Sequence, residues 1–259
     1  MDRTELVYAG SRDPAIMGPR FFTGLTAADV VTLANAVIGF AAIVVASTDP
    51  ELAARLILLA AVADGVDGVL ARAFGGSEVG PYLDSLADVP SFALAPAVVV
   101  YVTLDGAPVP LIPETYAPAI LVAIAGVFVS AAVLRLGFYS AYDTAATKTV
   151  GAPTTLAATI LSVAVLTAYG TEPVLAAGTV LLAGAMVAPI DYPDLLARDA
   201  VLMGVIHVLA VAFPTAYGRV FPYALLTLAL AYLLLAPSLY WGESERRLRE
   251  PAPAKGKQS

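Results

Sequence analysis

Long apolar runs, broken at intervals by short polar turns, dominate the chain. Eight of them read as membrane-spanning helices, at roughly 28–47, 52–74, 82–103, 116–140, 153–169, 173–190, 199–213 and 219–238. The breaks carry turn chemistry: Ser47-Thr48-Asp49-Pro50, the proline-rich stretch LDGAPVPLIPET, and the acidic stretch DYPDLLARD, which reads as a solvated turn around Asp191, Asp194 and Asp199. The predicted fold is therefore all-α, a polytopic integral membrane helix bundle of about eight transmembrane helices. Its membrane domain is expected at 26–240, between polar tails at 1–25 and 241–259. Residues 1–25 are mixed in charge, so the first apolar run is expected to be a permanent span and not a cleaved signal. Phe21-Phe22 and Tyr240-Trp241 suit the bilayer interface.

Eight spans place both termini on one side, and the basic residues test that count. With a cytoplasmic N-terminus the inner segments hold twelve of the 14 Lys and Arg residues, and only Arg55 and Arg219 fall outside. The predicted location is a cell (plasma) membrane, with the segment between the second and third spans facing the cytoplasm.

Composition narrows the chemistry. The chain is 59% hydrophobic with mean hydropathy +0.82, as a protein of the bilayer should be. It has no cysteine, which excludes disulfides, thiol catalysis and cysteine-bound metals. A net charge of −7 argues against a nucleic-acid partner. Lysines number three against eleven arginines, and with the acidic balance this suits a halophile with a GC-rich genome.

Against this apolar background the stretch DGVDGVLARAFGGSEVGPYLDSLAD, Asp64 to Asp88, stands out. Asp64 and Asp67 are three apart, and Asp84 and Asp88 four apart, so each pair shares a helix face. If the first pair closes one span and the second opens the next, four carboxylates converge at one membrane surface. Their repulsion calls for a cation between them. Hard oxygen donors without His or Cys nearby point to Mg2+, Mn2+ or Ca2+. Gly68, Ala71 and Gly80 leave backbone uncovered where a bulky ligand must approach, and Arg72 supplies a cation suited to phosphate. On the first span Thr32, Asn35 and Gly39 share a face, which suits protein packing or a ligand contact.

The full pattern, D-x-x-D-G-x-x-A-R, seven residues, then G-x-x-x-D-x-x-x-D, resembles the signature of the CDP-alcohol phosphotransferase family, with a core of about 26–190. The resemblance implies an enzyme that attacks the lipid-side phosphorus of a CDP-lipid with an alcohol and releases CMP. By position it implies Asp64, Asp67, Asp84 and Asp88 as metal ligands, for Mg2+ or Mn2+ ahead of Ca2+, with two ions possible in the site. It implies Asp88 as the general base, and Asn35, Asp64, Gly68, Ala71, Arg72 and Gly80 as the nucleotide and diphosphate site. A homodimer is implied as well.

The acceptor is read from two further stretches. LDSLADVPSFALAPAVVVY is similar to the phosphatidylserine synthase branch, with Ala93 where that branch has glycine. LRLGFYSAYDTAATKTVGAPTTLAATIL matches it at Arg135, Gly151 and Pro153 and departs over Gly137–Ser140. The expected substrates are therefore a CDP-lipid (CDP-archaeol or CDP-diacylglycerol) and L-serine, with Arg135 and Lys148 as cations for the serine carboxylate. Two alternatives stand beside this reading. One is the same reaction with glycerol phosphate or inositol phosphate, which should want more basic residues near the site. The other is a divalent-cation transporter, disfavoured by the absence of a visible inverted repeat. His207, the single histidine, is expected to be a satisfied core residue. Glu78 falls at an unfixed position of the motif.

Overall fold

The computed structural model describes residues 24–105, 116–143, 148–167, 169–193, 195 and 197–239. Its helices are α1 (Ala27–Val45), α2 (Pro50–Phe74), α3 (Gly80–Asp88), α4 (Ala95–Leu104), α5 (Ala117–Phe138), α6 (Thr154–Leu166), α7 (Glu172–Val187), α8 (Ala197–Ala212) and α9 (Ala216–Leu239). A π-turn over Val89–Leu94 joins α3 to α4, so Gly80–Leu104 runs as one helix. A second π-turn, Tyr139–Asp143, extends α5. Helical segments thus occur at each of the eight expected places. Residues 1–23 of the expected N-terminal tail, the stretch 106–115, Asp194, the Tyr240-Trp241 pair and the expected C-terminal tail lie outside the described residues.

Spanning length is reached by only some of the eight expected segments. Among the described residues four helices are long and apolar enough to cross a membrane: Ala27–Val45, Gly80–Leu104, Ala117–Tyr142 and Ala216–Leu239. The physical reasons are visible in the others. Helix α2 has 25 residues but carries Glu51, Arg55, Asp64, Asp67 and Arg72. Helices α6, α7 and α8 have only 13, 16 and 16 residues. Eleven residues of α6 are buried, which makes it the central helix of the bundle. Around it, Phe92, Phe128, Leu58 and Leu225 form the packed interior. The outer faces present Val37, Phe40, Val44, Leu181 and Leu234, an apolar exterior suited to lipid.

Local chemistry sets the ends of the first helices. Thr26 and Asp29 form a capping box at the start of α1. Asp49 caps α2 by accepting from Leu52 N (2.9 Å), with Pro50 in its first turn. Helix α2 ends at Gly75, whose φ of +88° belongs to the left-handed region that glycine tolerates.

One element departs from an all-helical fold. Strand β1 (Lys148–Val150) pairs antiparallel with β2 (Asp191–Pro193), in the register Lys148↔Pro193, Thr149↔Tyr192, Val150↔Asp191. The start of the expected solvated turn is therefore tied down. Tyr192 is buried and donates to Leu233 O (3.1 Å), and Tyr232 donates to Pro193 O (2.6 Å). Beyond β1, Gly151 has φ +81°, and a Cβ there would strike the Met186 carbonyl oxygen.

At the opposite end of the bundle two arginines hold helix termini. Arg55 Nε donates to Val211 O (2.8 Å), and Arg219 Nη1 donates to Leu166 O (2.7 Å). Both acceptors lie in the last turns of their helices, where carbonyls lack an intrahelical partner. Arg219 also meets Glu51 at 3.5 Å, from a left-handed turn over Tyr217–Arg219 that opens α9.

Candidate active site

The Gly75–Val79 turn folds α3 back on α2 and brings the two acidic pairs to one end of the bundle. Asp64, Asp84 and Asp88 converge there, with one carboxylate oxygen from each lying within 4.8 Å of the others. Asp64 lies beside Asp84 and beside the Thr155 hydroxyl in the first turn of α6. Asp67 stands beside the three with a different first partner: its Oδ2 accepts from Thr32 Oγ1 (2.6 Å). Asp88 Oδ1 accepts from Asn35 Nδ2 (3.3 Å). Among the described residues no ion pair involves any of these four carboxylates.

Helix α1 is the wall of this site, and its Thr32–Asn35–Gly39 face explains the close packing. Ser91 Oγ donates to the Asn35 carbonyl oxygen (2.9 Å), and a Cβ at Gly39 would collide with the Ser91 backbone and hydroxyl. Asn35 is fully buried, and its Oδ1 has no hydrogen-bond partner. An orphaned acceptor beside crowded carboxylates is costly unless something else is bound near it.

The donor set suits a hard divalent cation. Octahedral coordination at about 2.1 Å separates ligand oxygens by roughly 3 to 4 Å, and calcium tolerates longer spans. Three carboxylates within 4.8 Å fit this with slight closure.

The small and basic residues of the motif fall around this centre. Arg72 is exposed, and its guanidinium lies over Gly68, where a Cβ would sit 3.4 Å from Nη1. Ala71 is half-buried, its Cβ 3.7 Å from where a Cβ on Gly76 would be. Gly80 has a neighbour that sequence reasoning passed over: a Cβ there would stand 3.4 Å from Asp29 Oδ1. Asp29 in turn accepts from Ser77 Oγ (2.9 Å) and from Thr26 N and Oγ1 (2.6 and 2.8 Å), tying the α2–α3 turn to α1. The Thr26-x-x-Asp29 spacing is a capping signature and was the available signal.

Arg135 lies buried near the end of α5. Nη1 donates to Thr154 Oγ1 (3.3 Å), Nη2 donates to Thr149 Oγ1 (3.1 Å), and the guanidinium lies 5.5 Å from the Tyr139 ring centre. Thr154 adjoins Thr155, so the start of α6 links Arg135 to Asp64. A cavity of about 390 Å³ opens beside Arg135, walled by Leu134, Phe138, Tyr139, Val150 and Met186. Lys148 is placed at this end by its backbone pairing with Pro193. His207 is the satisfied core residue expected, with Nδ1 on Met203 O (2.8 Å) and Nε2 on Thr159 Oγ1 (3.3 Å).

Residues 25–190 match the CDP-alcohol phosphatidyltransferase family. The chain belongs to this family. An archaetidylserine synthase of Methanothermobacter thermautotrophicus is 30% identical over 172 residues, covering 64% of this chain and 68% of that one. A CDP-diacylglycerol--serine O-phosphatidyltransferase of Mycobacterium leprae is 50% identical over 56 residues, 21% of this chain and 19% of that protein. One of the same name from Methanocaldococcus jannaschii is 40% identical over 78 residues, 30% and 36% of the two chains. The match to the mycobacterial protein thus spans about a fifth of that relative's length. As a CDP-alcohol phosphatidyltransferase the chain is an enzyme, its four long apolar helices suit a bilayer, and its aspartate cluster can hold a metal ion.

Proposed function

We propose that this enzyme transfers a phosphatidyl-type group from a CDP-lipid to L-serine and releases CMP. The observation that carries the reading is the convergence of Asp64, Asp84 and Asp88 on the α2–α3 hairpin, inside the segment that matches the family. These three carboxylates, with Asp67 beside them, would hold Mg2+ or Mn2+, whose charge neutralises the diphosphate and the departing phosphate. Asp88, held by the Asn35 amide, takes the proton from the acceptor hydroxyl. The freed oxygen bonds to the lipid-side phosphorus, the bond from that phosphorus to the bridging oxygen breaks, and CMP leaves. Arg72, Gly68, Ala71 and Gly80 form the nucleotide side of the site.

For the acceptor, support comes from Arg135. Its guanidinium is buried and oriented by Thr149 and Thr154, at the same end as the carboxylates, as binding of a serine carboxylate requires. Lys148 is the second cation assigned to that role. The names of the relatives point to the same acceptor. The lipid is CDP-archaeol if the halophile-like composition reflects the source. Eight crossings, a plasma-membrane location, a cytoplasmic site and a homodimer complete the reading.

The test is CMP release by purified protein with CDP-lipid and Mg2+ or Mn2+, comparing L-serine with glycerol 3-phosphate and inositol 1-phosphate. Release with serine alone is the expected result. Release with a phosphorylated acceptor would move the reading to that alcohol. Cation uptake into vesicles without any CMP release would replace the enzyme reading with a transporter.

A further inference from the structure

The carboxylate side and the Arg135 side of the site are carried by different helices, α3 and α5, and a hydroxyl pair joins them. Ser85 lies on α3 between Asp84 and Asp88, and Ser140 lies in the π-turn that follows Arg135 and Tyr139. Their Oγ atoms are 2.5 Å apart. Ser140 also donates its own hydrogen to Leu136 O (2.8 Å), back into the last turn of α5. With that hydrogen committed, Ser85 is the donor and Ser140 the acceptor. The chain of contacts therefore runs from the acidic helix, through two hydroxyls, into the turn whose Tyr139 ring lies beside the Arg135 guanidinium. π-Turns are weakly held segments of helix that gather at functional sites, and this one is pinned to the carboxylate helix by a side chain one residue from Asp84.

We infer that the Ser85–Ser140 hydrogen bond sets the acceptor side of the site in register with its carboxylates, making both serines positioning residues for the acceptor. This rests on the reading that Arg135 holds the acceptor, and it holds for whichever alcohol that is. A displacement of about 1 Å between acceptor and phosphorus is enough to weaken a transfer reaction. The bond separates the two substrates: its loss frees the Arg135 turn and leaves the hairpin that bears Asp64, Asp84 and Arg72 in place.

The experiment compares Ser85→Ala, Ser140→Ala and the double variant with wild type, using the acceptor that drives CMP release. Each single variant should raise the acceptor KM about five- to tenfold, the effect of one lost hydrogen bond, with the CDP-lipid KM within about twofold. The double variant should be no worse than either single one, because both remove the same bond. Ser85→Thr, which keeps the hydroxyl, should stay close to wild type. A merely structural role would raise both KM values together or give multiplying effects, and either result overturns the inference. Because the chain has no cysteine, Ser85→Cys with Ser140→Cys gives a second measurement. Mild oxidation in membranes should yield one intramolecular disulfide, and its failure to form overturns the juxtaposition. Release with a phosphorylated acceptor alone defeats only the serine reading, and the KM comparison is then made on that acceptor. No release with any acceptor defeats both.

Discussion

The two ends of the bundle use charge in opposite ways. At the far end Arg55 and Arg219 each donate to a helix-terminal carbonyl, Val211 and Leu166, so the cations are consumed in holding α8 and α6. At the site end Asp64, Asp84 and Asp88 face one another, with Asp67 alongside, and among the described residues no ion pair reaches them. Charges that complete backbone hydrogen bonding serve the fold. Charges crowded against their own kind oppose it and are kept for what they bind. The comparison also bears on Arg55 and Arg219, the two basic residues expected outside the inner segments: both have a structural partner at that end.

The strongest way to break this contrast is to neutralise the site. Asp84→Asn or Asp88→Asn should reduce CMP release by more than about a thousandfold, by removing a metal donor or the base. The same variants should unfold at an equal or higher temperature than wild type in chelator, since one of several repelling charges is gone. A lower Tm would mean that the carboxylates hold the fold together. Next, chelator should abolish activity of the wild type, and added Mg2+ or Mn2+ should raise its Tm but leave the Asp84→Asn Tm unmoved.

Smaller effects sharpen the contrast from the structural side. Gly39→Ala forces a methyl into Ser91 and should cost about 1–3 kcal/mol of stability, read by thermal unfolding in detergent. Arg55→Ala or Arg219→Ala should each cost about 1–2 kcal/mol by orphaning a helix-end carbonyl, with both KM values unchanged. Glu51→Gln should change stability by less than about 0.5 kcal/mol, because its pairing with Arg219 is solvent-exposed.

Much of this was legible in the chain. The apolar runs placed every helical segment within a few residues, because hydrophobic length is a direct consequence of the solvent. The aspartates at spacings of three and four foretold that carboxylates converge, as Asp64, Asp84 and Asp88 do, because helix geometry converts spacing into a shared face. Contacts between distant segments were not legible. Nothing local to Thr32 says that it will hold Asp67, nothing in DYP says that it will pair with Lys148–Val150, and the two π-turns have no spacing signature. Crossing number was less legible, because helices such as α6 are short and surrounded by protein, and only four reach spanning length among the described residues. The Thr26–Asp29 box was visible and passed over.

The β1–β2 ladder and the α2–α3 hairpin also imply an order of assembly. All the carboxylates of the site lie on one hairpin, close in sequence, and its wall is the helix made just before it. Apart from Thr155 of α6 beside Asp64, that half is made once α3 has left the ribosome, and its contacts are local and fast to form. The half around Arg135 stays open until Asp191–Pro193 is made and meets Thr149, and until Tyr232 of α9 closes on Pro193. During synthesis there is therefore a stage at which the carboxylate hairpin is made and the side around Arg135 is not yet closed. The last helix, which lies beyond the family match, is the one that brings that stage to an end.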